Sequence, residues 1–234
     1  MKRQLFLSSI LVHIFVAAPL LAQKTVTFPL IGKSKQQTQA QVQGDLYGQG
    51  TRAVILAHGG RFHKESWKPQ AEALAKAGFL VLAVGFRGDN ANPDGSPGTF
   101  GTYPEHAADI LAAIPYLRGL GAKSISAVGG SLGGDAIGDA DAASTPGTFD
   151  RIVILASEGG SSPEKLTGRK LFILARDDSS GDGLRLPGIS RNFARTPEPK
   201  KLVLLEGSAH AQFLFNTDQG PRLLVEIVSF LSAP

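Results

Sequence analysis

The chain reads as an α/β protein, a mostly parallel sheet with helices on both faces, and three observations predict it. Short β-prone runs alternate with helix-prone stretches along most of the length, the order that builds a parallel sheet through crossover helices. Several of these runs, such as Ala53-Val54-Ile55-Leu56-Ala57, are apolar at every position, as strands buried on both faces must be. One β-prone run, Ser124 to Val128, leads directly into Gly129-Gly130-Ser131-Leu132-Gly133-Gly134 and then a helix-prone segment. That is an abrupt strand-to-helix junction.

The elements follow in order. Met1-Lys2-Arg3-Gln4 is a short basic start, and Leu5 to Ala18 is apolar apart from Ser8, Ser9 and His13. Pro19-Leu20-Leu21-Ala22 then precedes the polar Gln23. This pattern predicts a secretory signal peptide over residues 1–22, cleaved after Ala22, and a secreted or periplasmic product that meets a membrane only during export. An uncleaved anchor is the rival reading; the basic start and the small residue at the end favour cleavage. Residues 23–234 are expected to form a single domain, a length with ample core. Lys24 to Leu30 and Ala40 to Tyr47 read as strands joined by a polar connector, and Ala53 to Ala57 as a third. Ser66 to Ala77 has helical apolar spacing and stops at Gly78. Phe79 to Val84 is a further strand, followed by a Gly/Pro/Asn-rich loop to about Gly101. Tyr103 to Leu117 reads as a helix that Pro115 should kink or end early. Arg151 to Ala156, Lys170 to Ala175 and Lys201 to Leu205 are the last strands, and Pro221 to Leu231 is a final amphipathic helix. With the run at Ser124 this makes about eight strands. The short stretch between Ala156 and Lys170 leaves no room for a large lid.

Composition narrows the function. Hydrophobic content of 42% and charged content of 19% are those of an ordinary globular protein. The net charge is +4, with no basic–aromatic stripe, so no nucleic-acid partner is expected. There is no cysteine. Disulfides and lipidation at cysteine are therefore absent, and stability must come from the core.

The junction at Ser131 carries the chemistry. A Gly-x-Ser-x-Gly sequence between strand and helix is a nucleophile elbow. Holding a hydroxyl clear of a sheet edge needs a sharp, strained turn, and side chains two residues either side would collide. The helix N-terminus also favours developing negative charge. The glycines do not fit the dinucleotide fingerprint Gly-x-Gly-x-x-Gly, and the Gly-Lys-Ser/Thr ending of a phosphate-binding loop is missing. No cofactor and no metal are expected. A serine hydroxyl needs a base within hydrogen-bond reach. Beyond the signal the histidines are His58, His63, His106 and His210, and the carboxylates Asp177, Asp178 and Glu158 follow late strands. The helix after the elbow carries Asp135, Asp139 and Asp141. It lacks the spacing of a calcium loop and is expected to be solvated or partly irregular.

The order of strands, the His58-Gly59-Gly60 turn, Phe86-Arg87-Gly88, the elbow and the late histidine resemble the α/β-hydrolase family. More narrowly, the chain resembles its small, lid-poor serine esterases of the dienelactone-hydrolase-like group, across nearly everything after the signal. The resemblance implies an α/β-hydrolase fold and a triad in chain order Ser131, Asp178, His210. It selects His210 because the family places its base after the last strand. It selects Asp178 because the acid usually stands three residues past the small residue closing its strand; Asp177 is the runner-up and Glu158 a distant third. It further implies an oxyanion hole made by the backbone N–H groups of Leu132 and Gly60, with Arg61 as the alternative to Gly60. His58 would hold its turn through ring hydrogen bonds, Arg87-Gly88 would be structural, and Phe62 or Trp67 could line the pocket, Trp67 being better explained by packing. Dienelactone-cleaving relatives use cysteine, so Ser131 points to ordinary esters. The expected activity is hydrolysis of a small-molecule carboxylic ester, short-chain or polar, through an acyl-enzyme. A peptidase or thioesterase would use the same groups, and a non-catalytic binding protein on the same fold is the reading from another class.

Overall fold

The computed structural model describes residues 23–31, 40–88 and 103–234. The expected signal peptide and its cleavage point lie outside the described residues, as does the rival membrane anchor. Among the described residues no helix is long and apolar enough to cross a membrane.

Eight strands form one sheet, with β1 (Lys24–Pro29), β2 (Gln41–Tyr47), β3 (Arg52–Ala57), β4 (Leu80–Gly85), β5 (Ser124–Gly130), β6 (Arg151–Leu155), β7 (Arg169–Ala175) and β10 (Lys200–Leu205) in the order β1-β2-β4-β3-β5-β6-β7-β10. From β4 onward every pairing is parallel, while β1 and β2 run antiparallel at one side. The chain moves from β3 outward to β4, then returns to the other side of β3 as β5. Such a reversal opens a crevice beyond the carboxyl ends of the strands, where open α/β sheets bind ligands.

The apolar runs behave as their composition requires. In β3, Ala53, Ile55 and Ala57 enter one core layer and Val54 and Leu56 the other. The first layer is covered by α2 (Tyr103–Gly119), α3 (Leu132–Ala143) and α4 (Leu186–Arg195), through Ile110, Leu117, Ala136, Ile137 and Ile189. The second is covered by α1 (Lys68–Lys76) and α5 (Gly220–Ser232), through Leu74, Leu223, Ile227 and Leu231, with Trp67 just ahead of α1.

Two expectations are corrected, and one pair of elements is added. Helix α2 neither stops at nor before Pro115 but runs on to Gly119. Pro115 is exposed while Ala112, Ala113 and Leu117 are buried. The backbone bond it removes therefore falls on the solvent side, where water can take the orphaned carbonyl, and burial of the opposite face holds the helix together.

Helix α3 is neither solvated nor irregular. It packs so closely that a Cβ on Gly138 would overlap the backbone carbonyl of Gly159. Its carboxylates are used to hold the loop after β6. Asp135 accepts from Ser157 Oγ at 2.8 Å and from the N–H groups of Gly159 and Gly160 at 3.1 Å. Asp139 accepts the N–H and hydroxyl of Ser161, both at 2.8 Å. Asp141 accepts the N–H of Thr167 at 2.7 Å and its hydroxyl at 3.0 Å. A sequence cannot show that donors some 25 residues on will fold back over these oxygens.

Finally, a short hairpin of β8 (Ser179–Ser180) and β9 (Gly183–Leu184) leads into α4. The stretch is too polar and too short in period to announce either element.

Two stability predictions arise here. Gly138→Ala forces α3 away from the Gly159 backbone, which should cost about 2–3 kcal/mol and lower Tm by roughly 5–10 °C; an unchanged melting curve would mean that the loop yields freely. The second concerns Asp141, which burial pushes above the usual carboxylate range against the opposing effect of the Thr167 and Gly168 bonds and of Lys170. With its folded value raised, the native state binds more protons, so this group's contribution falls as pH rises from the unfolded to the folded value. Asp141→Asn cannot titrate. Denaturant midpoints should therefore show wild type losing ground to the variant as pH rises above the unfolded carboxylate value of about 4, and a difference that stays constant with pH would rule the linkage out.

Candidate active site

The carboxyl ends of β5, β7 and β10 bring three separated residues together. Ser131 stands at the junction of β5 and α3 with φ 51° and ψ −119°, a left-handed backbone that a non-glycine residue keeps only when its surroundings impose it. Those surroundings are visible. A Cβ on Gly129 would strike the Gly133 backbone, and one on Gly133 would strike the carbonyls of Ala57 and His58. The two glycines let α3 start almost on top of β3 and β5. The turn is sealed by the Ser131 N–H donating to Leu155 O at 2.8 Å.

His210 follows β10 and caps the 3-10 segment Ala211–Asn216. The Ser131 hydroxyl donates to its Nε2 at 2.8 Å, and its Nδ1–H donates to Asp178 Oδ2 at 2.8 Å. The carboxylate fixes the tautomer: with Nδ1 as donor, Nε2 is left as the acceptor facing the serine. Asp178 is fully buried just past β7, whereas its neighbour Asp177 is exposed. The runner-up Asp177 is thus not brought to His210. Nor is Glu158, which lies on another wall and accepts from Asn192 Nδ2 at 3.1 Å. The second oxygen of Asp178 faces Arg185 Nε at 3.4 Å, and the Arg185 N–H donates to the Asp178 carbonyl at 2.9 Å. The β8–β9 hairpin is therefore closed at its base on the buried acid.

Gly60, Arg61 and Leu132 line the same cavity as Ser131 and His210. Leu132 opens α3, where the first N–H groups have no acceptor within the helix. Gly59, which precedes Gly60 in its turn, has its N–H committed to Gln212 Oε1 at 2.7 Å. His58 is buried, and its Nδ1–H donates to the Gly59 carbonyl at 3.0 Å. Arg87 donates its backbone N–H to Asp109 at 2.8 Å and pairs with it through Nε, a tie between β4 and α2 away from the cavity. The His106 ring lies against Phe86, with centroids 4.6 Å apart, and the His63 ring against His58 at 6.1 Å.

The cavity measures about 1260 Å³. Its lining mixes apolar groups, among them Phe62 and Phe213 with ring centroids 4.8 Å apart and the exposed Leu184. Polar groups line it too, among them Ser157, Glu158, Ser180, Asp182 and Arg191. Trp67 is not part of the lining; it is buried edge-on against Phe215. Burial also pushes Asp135 above the usual carboxylate range, opposed by its bonds to Ser157, Gly160 and Gly159. Among the described residues no group of histidine, aspartate and glutamate is arranged to hold a metal ion.

Three parts of the site were missed in the sequence. Ala156 and Ala211, like Ser131, have positive φ, 53° and 49°, so strained backbone gathers around one cavity. The hairpin and α4 build one wall. Gln212 is tied to the glycine turn, and its one sequence signal is a glutamine inside the apolar run Ala211-Gln212-Phe213-Leu214-Phe215.

Comparison with known proteins agrees with this architecture. A family model described as alpha/beta hydrolase fold matches residues 52–220. No curated protein matches the chain in sequence. Among solved structures, a dienelactone hydrolase from Anabaena variabilis superposes with a TM-score of 0.67 at 19% identity, covering 90% of this chain and 96% of its own. A monoacylglycerol lipase from Paleococcus ferrophilus gives 0.68 at 16% identity, covering 82% and 98%. An esterase from Pyrococcus furiosus gives 0.64 at 16% identity, covering 88% and 92%. At such identities the likeness is one of fold.

Proposed function

The chain belongs to the α/β-hydrolase fold family, and from that premise we propose that it is an exported serine hydrolase cleaving short-chain or polar carboxylic esters. The observation that carries this reading is the unbroken relay from buried Asp178 through His210 to Ser131, 2.8 Å at each step. Ser131 Oγ attacks the ester carbonyl carbon while its proton passes to His210 Nε2. The oxygen that gains charge is received by the N–H groups of Leu132 and Gly60. The bond to the alcohol then breaks, and His210 returns the proton to the departing oxygen. Water, deprotonated by His210, attacks the acyl-enzyme, and the proton goes back to Ser131 as the acid leaves. Asp178 stays ionised throughout and stabilises the imidazolium. The neighbours whose names include dienelactone hydrolase, monoacylglycerol lipase and esterase support ester chemistry. A cavity lined by both apolar and polar side chains suits a compact acyl group joined to a polar alcohol.

Hydrolysis of nitrophenyl esters from acetate to decanoate by residues 23–234 tests the reading. Turnover should be greatest at the short end, and none on any ester by folded protein would overturn it. Export rests on the N-terminal sequence. Sequencing the mature protein from the periplasm or medium should begin at Gln23, and retention of Met1 on a membrane pellet would favour the anchor.

A further inference from the structure

Gln212 sits two residues beyond His210 in the segment Ala211–Asn216 and is only 5% exposed. Both ends of its carboxamide are engaged. Oε1 accepts the Gly59 N–H at 2.7 Å, and Nε2 donates to Ser66 Oγ at 2.6 Å. Ser66 in turn donates to the His63 carbonyl at 2.6 Å. The orientation of the amide is not arbitrary, because only an oxygen can meet the Gly59 N–H. Its side chain also packs beside the elbow: a Cβ on Gly130 would lie 3.4 Å from Gln212 Cγ.

The partner turn is the one from which Gly60 would supply an oxyanion donor. Its two glycines have the freest backbone available, so its conformation must be imposed from outside. The Gly59 carbonyl is held by His58 Nδ1–H and by the Phe62 N–H, both at 3.0 Å. That carbonyl and the Gly60 N–H belong to one planar trans peptide, so fixing the oxygen inward turns the N–H outward. The preceding peptide is held through the buried Gly59 N–H, which donates to Gln212 Oε1. Without that acceptor a buried donor is left unmet, and the turn gains a reason to rotate.

We propose that Gln212 is a positioning residue, which holds the Gly59-Gly60 turn so that the Gly60 N–H is aimed at the developing oxyanion. It acts through the turn and touches no reacting atom. The inference rests on the serine-hydrolase reading above. It makes one segment responsible for two parts of the site: His210 as base, and, two residues on, the brace of the oxyanion turn.

The test is a split in kinetic constants on nitrophenyl acetate. Gln212→Leu keeps the bulk and removes both bonds; kcat should fall about 100-fold with KM within about twofold, as when an oxyanion donor is lost. Inhibition by a boronic acid, which mimics the tetrahedral species, should weaken by a similar factor. Gln212→Glu keeps an acceptor for the Gly59 N–H and should recover at least about tenfold of the loss. Should the leucine variant not fold, Ser66→Ala frees the far end of the carboxamide and should lower kcat about fivefold with KM unchanged. An active wild type whose folded Gln212→Leu or Ser66→Ala variant keeps its kcat overturns this inference alone. So does a glutamate variant no better than leucine, with kcat, KM and Tm all worsened together. A folded wild type that neither turns over esters nor takes a phosphonate on Ser131 overturns the inference and the hydrolase reading together.

Discussion

Replacing Ser131 by alanine is expected to lower ester turnover by at least about 10⁴-fold while leaving the melting curve nearly unchanged. The size follows from covalent catalysis: without Oγ no acyl-enzyme forms, and only a water positioned by His210 and the turn can react. The unchanged stability follows from the side chain. Alanine keeps the Cβ that stands at φ 51°, so the backbone strain stays as it is, and the hydroxyl's bond to His210 Nε2 is part of the reacting site. Progress curves on nitrophenyl acetate with both proteins at matched concentration decide it, since an initial burst should appear only in wild type. A variant retaining a tenth or more of the activity would place the nucleophile elsewhere.

Asp178→Asn should come next in effect, a fall in kcat of about 10⁴-fold with the geometry almost intact. An amide in this position can present its NH₂ group to His210 Nδ1, which then becomes the acceptor. The proton moves to Nε2, where it faces Ser131 as a donor, and the base is lost. Arg185 also loses the counter-charge that stands 3.4 Å away. Asp177→Asn is the internal control and should stay within about twofold of wild type, because its carboxylate is exposed. Equal losses in the two variants, or a greater loss at Asp177, would reassign the acid.

Much of this was legible in the residues. Apolar runs such as Ala53 to Ala57 are strands because no other element of that length buries every side chain, and their layers alternate as the pleat requires. Gly129, Ser131 and Gly133 declare the elbow because the steric demand is local: it arises between residues a few positions apart and the strands they follow. The sequence by itself determined the sheet, the elbow and the ends of the strands on which a base and an acid could stand.

What it could not determine depends on contacts between distant segments. Asp177 and Asp178 are adjacent and chemically alike, and only the packing of β7 beside β10 buries one and exposes the other. The carboxylates of α3 look like a solvated face until the loop after β6 lays its N–H groups over them. Gln212 and Gly59 stand 153 residues apart, and no spacing rule links a side-chain acceptor to a backbone donor at that distance. Hydrogen bonds of this kind cost the chain loop-closure entropy that the hydrophobic core has already met, so they appear only once the sheet has formed. The tertiary structure alone decided which carboxylate faces His210, and what holds the glycine turn in place.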